Sequence, residues 1–203
     1  MSTINFQVGV PAGAITGTVD GQDSYISSYL ALHVSGYSLS NNVIFCVQPD
    51  ATADTSSVSS YTVQPGISGL GFSLNEVNAL KGLFSNYIDS GNTSFANQEV
   101  TMLADWGIVN PSLTVGADVS SSVVSQANNL ITQALAGDLK IDSSLNFLTF
   151  VSTSGNQSFV NISEVPLPAG LLLFVSALVL LGSLALRKKR GATEAHAPEM
   201  RAS

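Results

Sequence analysis

The chain reads as an α+β protein: an antiparallel β sheet or sandwich with a three-helix insertion, plus one C-terminal transmembrane helix. Three observations predict this. Apolar residues alternate with a period of two over residues 4–63 and again over 145–162. Between those stretches, from Ser73 to Ala136, they recur at helical spacing. From Leu167 to Leu186 no residue is charged, and a helix over those 20 residues, rising ~1.5 Å each, covers ~30 Å, the hydrocarbon thickness of a bilayer. Strands and helices do not alternate, so a parallel sheet is not expected.

The elements follow in order. Ile4-Asn5-Phe6-Gln7-Val8 alternates and predicts a first strand. Ala14 to Val19 alternates and ends in Asp20-Gly21, a tight-turn pair. Tyr29 to Val34, Asn42 to Val47 and Ser60 to Val63 are further strands, and the run Val43-Ile44-Phe45-Cys46-Val47 is apolar enough to be buried on both faces. Ser73-Leu74-Asn75-Glu76 is a capping box, in which Ser73 accepts from the Glu76 amide and Glu76 reaches back. The helix it opens carries Leu80, Leu83, Phe84, Tyr87 and Ile88 on one side and stops at Ser90-Gly91. A second helix runs from about Ser94 to Val109, ending before Asn110-Pro111. Phe95, Met102, Trp106 and Val109 form its stripe, widened by Ala96, Val100 and Leu103. A third runs from about Val119 to Ala136 and is closed by Gly137. Strands return at Leu145 to Val151 and at Phe159 to Ile162.

Charge divides the chain. Before Pro166 there are two basic residues, Lys81 and Lys140, against 12 acidic ones; after it there are five basic and two acidic. So acidic a domain repels phosphate backbones, and nucleic acid is not an expected partner. The basic cluster Arg187-Lys188-Lys189-Arg190 belongs on the cytoplasmic side of the membrane span, with residues 1–164 on the far side. Residues 191–203 read as a disordered cytoplasmic tail. Met1 to Gln22 has no Lys or Arg and no apolar run of signal-peptide length. The expectation is a start lying upstream, or export driven by the C-terminal helix alone.

Few residues suggest chemistry. Cys46 is the single cysteine, which excludes an internal disulfide. His33 is the single histidine before the tail, and no Gly-x-Ser-x-Gly elbow accompanies it, so it reads as a structural strand residue. The acidic pairs Asp20/Asp23, Asp50/Asp54 and Asp138/Asp142 lack calcium-loop spacing, and turn chemistry explains them. No cofactor or metal is expected.

Val165-Pro166-Leu167-Pro168-Ala169, the apolar stretch and the basic cluster together resemble a PEP-CTERM-type sorting signal in its VPLPA variant. The resemblance implies a bacterial envelope protein, read by an exosortase-type membrane protease. Such a protein is held transiently in the inner membrane as a single pass. It is then displayed at the cell surface or in the extracellular matrix. A second resemblance covers roughly residues 15–165. Phe45-Cys46-Val47, the helices around Leu80 and Trp106, and Ser154-Gly155-Asn156-Gln157 look like exported proteins similar to the thioester domains of surface adhesins. In those domains a strand cysteine is joined to a helix glutamine with loss of ammonia. Cys46 matches the cysteine. In Thr101-Met102-Leu103-Ala104-Asp105-Trp106, Met102 stands where the pattern has glutamine, and a thioether supplies no acyl group. Gln98, one turn earlier, is the alternative donor. The expected molecule is therefore a thioester-domain-like fold without the bond, in which Cys46 is a small buried hydrophobe. Its expected role is non-enzymatic adhesion or matrix contact, with extracellular polysaccharide or a surface ligand as partner. Covalent adhesion through Cys46, or a carbohydrate-binding module, is the alternative.

Overall fold

The structure, a computed structural model, describes residues 2–164. Eight strands and three helices follow one another as β1 (Ser2–Gly9), β2 (Thr16–Val19), β3 (Gln22–Tyr25), β4 (Tyr29–Ser35), β5 (Val43–Cys46), β6 (Val58–Pro65), α1 (Leu74–Asp89), α2 (Phe95–Val109), α3 (Ser121–Ala136), β7 (Leu145–Ser152) and β8 (Phe159–Glu164). Six strands close into a barrel in the order β1-β4-β5-β8-β7-β6, and β2 and β3 form a separate two-stranded hairpin. All pairings of named strands are antiparallel.

This corrects the expected open sheet or sandwich. β1 pairs with β6 along Ser2↔Val63 to Gln7↔Val58 and with β4 through Val8↔Ala31 and Gly9↔Leu30. β8 pairs with both β5 and β7. No barrel strand is left with a free edge, which removes the template for strand addition. Alternation in sequence says which face of a strand is buried, and a barrel and a sandwich satisfy it equally. Among the described residues no helix is long and apolar enough to cross a membrane. The stretch 167–186 on which the membrane helix was placed, the sorting motif, the basic cluster and the tail all lie outside the described residues. β3 was not expected at all, because Gln22-Asp23-Ser24-Tyr25 has no apolar alternation. It forms because Asp20 (φ 51°) and Gly21 (φ 75°) take the left-handed conformations of a tight hairpin turn.

Aromatic rings fill the barrel. Phe6 stacks on Tyr61 at 4.2 Å and meets Phe150 at 5.5 Å and Phe159 at 6.1 Å. Residues directly opposite each other on paired strands share a face. Cys46 lies opposite Phe159, so it points inward with that ring. Phe45 then points outward, where it meets Phe84 at 5.2 Å and Tyr87 at 5.1 Å on α1. The helices thus cover the wall of the barrel at β5, which explains why this short strand is apolar on both faces.

Local signals set the helix ends. The capping box forms: the Ser73 amide donates to Glu76 Oε2 at 2.7 Å, and the Glu76 amide donates to Ser73 Oγ at 3.3 Å. α2 starts on Ser94, whose hydroxyl accepts from the Asn97 amide at 3.3 Å. α3 ends on Gly137 at φ 79°, a left-handed cap that glycine reaches without strain.

Candidate functional site

Cys46 is the reactive atom nearest to a site, and its surroundings are built from three directions. It ends β5, is fully buried and is a free thiol. The thiol donates to the Gln48 carbonyl at 3.4 Å. Its own carbonyl accepts from Trp106 Nε1–H at 2.9 Å. That bond docks α2 on the end of β5. Burial pushes the thiol pKa well up. A buried thiol held protonated is a poor nucleophile in this conformation.

Gln98 is not joined to Cys46 by any hydrogen bond among the described residues. Its side-chain carbonyl accepts from Ser28 Oγ at 2.8 Å, and its amide donates to the Thr93 carbonyl at 2.9 Å. Both ends of the Gln98 amide are therefore occupied. Met102 is fully buried one turn further along α2.

Sequence reasoning passed over Asp105. It is fully buried, and neither carboxyl oxygen has a hydrogen-bond partner among the described residues. Burial alone raises its pKa well above the ordinary carboxylate value. A signal was present. α2 is buried continuously from Val100 to Trp106, and its apolar residues lie on nearly every side. A helix that is apolar all round is enclosed, so any polar residue within it goes inside too. One more buried hydroxyl, Ser27 Oγ, also lacks a partner among the described residues. Tyr61 is pushed up to about 12, chiefly by burial.

The other polar residues are structural ties. His33 is exposed and sits at φ 52°, where the β1–β4 register shifts. A bulge accounts for it. Asp20 accepts from the Thr114 amide at 2.7 Å and its hydroxyl at 2.9 Å; Asp118 accepts from the Thr18 amide at 2.9 Å. Together they pin the β2–β3 hairpin to the loop before α3. Asp54 is bonded by Ser56 and Ser57, which pull its pKa down to about 2. Asn161, inside the barrel opposite Ile44, donates to the Val43 carbonyl at 2.8 Å. Among the described residues no group of three His, Cys, Asp or Glu side chains is placed to hold a metal ion.

No family model matches the chain, and no curated protein matches it. Among solved structures, the chain is similar to an N-terminal thioester domain of a surface protein from Clostridium perfringens. The identity is 11% and the TM-score 0.45, over 80% of this chain and 100% of that one. A cysteine-to-alanine form of that domain is similar at 11% identity and a TM-score of 0.49, over 80% and 99% of the two chains. At that distance the chemistry of Cys46 has to be argued from this chain's own residues.

Proposed function

We propose that the chain is an exported cell-envelope protein whose domain over residues 2–164 makes non-enzymatic contacts at the cell surface or in the extracellular matrix. One observation carries the contact role. The barrel strands hold no charged side chain except Glu164 at the end of β8, and their partly exposed positions on β1 and β6 include Asn5, Gln7, Ser60 and Thr62. Such a surface offers hydrogen bonds without demanding a counter-ion, which suits neutral polysaccharide. The route to the surface rests on the sequence Val165-Pro166-Leu167-Pro168-Ala169 and the basic cluster at Arg187-Lys188-Lys189-Arg190. These support handling by an exosortase-type membrane protease after a transient stay at the inner membrane.

Two experiments test the two halves. The soluble domain on an array of matrix polysaccharides should bind at least one neutral glycan, and silence across the array counts against the contact role. Deleting Val165–Ala169 should hold the protein in the inner-membrane fraction. If deleted and intact forms fractionate alike, sorting through this motif is wrong.

Covalent adhesion through Cys46 and Gln98 is the second reading. The docking of α2 on the Cys46 strand through Trp106 supports it, because a thioester needs the cysteine strand and the helix in contact. The occupied Gln98 amide weighs against it. Closing such a thioester expels one ammonia, so intact mass would fall by about 17 Da, a deficit lost in Cys46→Ala.

A further inference from the structure

A pocket of about 290 Å³ lies where the loop after β5, the loop after β6 and the β7–β8 turn meet. None of its lining residues is charged. Gln48, Ser152, Asn156 and Ser158 line it with polar groups, and Leu70 and Val151 with an apolar patch. The polar side chains are fixed by bonds to the fold. Gln48 Oε1 accepts from the Ser158 amide at 3.1 Å, and Asn156 Nδ2 donates to Ser59 Oγ at 3.1 Å. Ser158 Oγ accepts from the Ser152 amide at 3.1 Å, and Ser152 Oγ accepts from the Ser154 amide at 3.3 Å.

Each side chain thus commits one end of its polar group to the fold and keeps the other. Gln48 Nε2 and Asn156 Oδ1 have no hydrogen-bond partner among the described residues. The Ser152 and Ser158 hydroxyls act as acceptors and keep a proton to donate. Gln157, between two lining residues, is buried, and its Oε1 has no partner among the described residues. The turn therefore holds acceptors that lack donors, beside an amide with donors to spare.

That arrangement selects its ligand by chemistry. An anion would find no basic side chain in the lining, and a metal ion no carboxylate. Neighbouring hydroxyls of a sugar each donate and accept, so one pair engages the Gln48 N–H and the Asn156 oxygen together. The C–H face of the ring suits Leu70 and Val151. Polar groups already fixed in place lose little freedom on binding. We propose that this pocket is a subsite for one pyranose ring of a neutral polysaccharide, with Gln48 donating to its hydroxyls and Asn156 accepting from them. The proposal rests on the contact role given above and adds a defined pocket to the open barrel strands.

The experiment measures binding of the full chain, held in a detergent without a sugar headgroup, to mannan, dextran and laminarin, with alginate as an acidic comparison. At least one neutral glycan should bind. Gln48→Glu keeps the acceptor that the Ser158 amide uses and removes the free N–H donors, so it should weaken binding at least about tenfold. Ala51→Trp, which fills the pocket from its lining, should abolish it. Binding that neither variant changes overturns the pocket and leaves the contact role standing. Binding to alginate alone, or to none of the four, overturns the pocket and the neutral-glycan reading together. If neither variant folds, amide hydrogen exchange of the wild type with and without the bound glycan decides. Slowing over residues 48–52 and 152–158 supports the pocket, and slowing confined to β1 and β6 overturns it.

Discussion

The Asp105 carboxyl should make the domain less stable as pH rises. Its folded pKa is raised by burial, whereas the unfolded chain ionises near ~3.9. Above that value the unfolded state gives up a proton that the folded state keeps. Stability attached to this group is therefore complete below about pH 4 and declines by about 1.4 kcal/mol per unit until the folded group titrates. Asp105→Asn should flatten that decline, seen as a urea midpoint that changes little between pH 5 and 8. Trp106→Phe tests the docking of α2 on β5. It keeps a ring in place but leaves the buried Cys46 carbonyl without its indole donor, at a cost of about 1–3 kcal/mol in denaturant unfolding. The two residues differ in how readable they were. Cys46 announced its burial through the apolar run around it. Asp105 was signalled only indirectly, by the apolar residues around it on α2, because an acid on a helix reads as solvent-facing until the helix is known to be enclosed.

The helices obey their local signals closely. α1 begins on its capping box and α3 ends on Gly137, as the spacing predicted, because caps are made by side chains within a few residues of the helix they close. Ser73→Ala should cost about 1 kcal/mol, since the Glu76 amide loses its acceptor. Gly137→Ala should cost a similar amount, about 1 kcal/mol, because alanine is strained at a left-handed φ. Thermal unfolding of each variant measures both. The β2–β3 hairpin is the contrasting element. Its turn was legible in Asp20-Gly21, but its second strand was not, because Gln22–Tyr25 is held by pairing and by the ties of Asp20 and Asp118 rather than by apolar burial.

At the scale of the molecule, the barrel depends on strands from opposite ends of the described chain. β8 lies between β5 and β7, so removing it exposes two strand edges at once. A chain ending at Ser158 should lose cooperative unfolding and associate, which circular dichroism and gel filtration would report. Phe6→Ala should cost about 3–5 kcal/mol, because Phe6 touches the rings of Tyr61, Phe150 and Phe159 together. The sequence alone determined ten of the strand and helix positions and the inward faces of the long barrel strands, since periodicity is a local property set by the geometry of helix and strand. Only the tertiary structure decided that the sheet closes, that Phe45 looks outward to α1 while Cys46 looks inward, and that Asp105 is sealed in the interior. Those outcomes depend on which strand edges meet and on what covers each face, and residues far apart in the chain settle both.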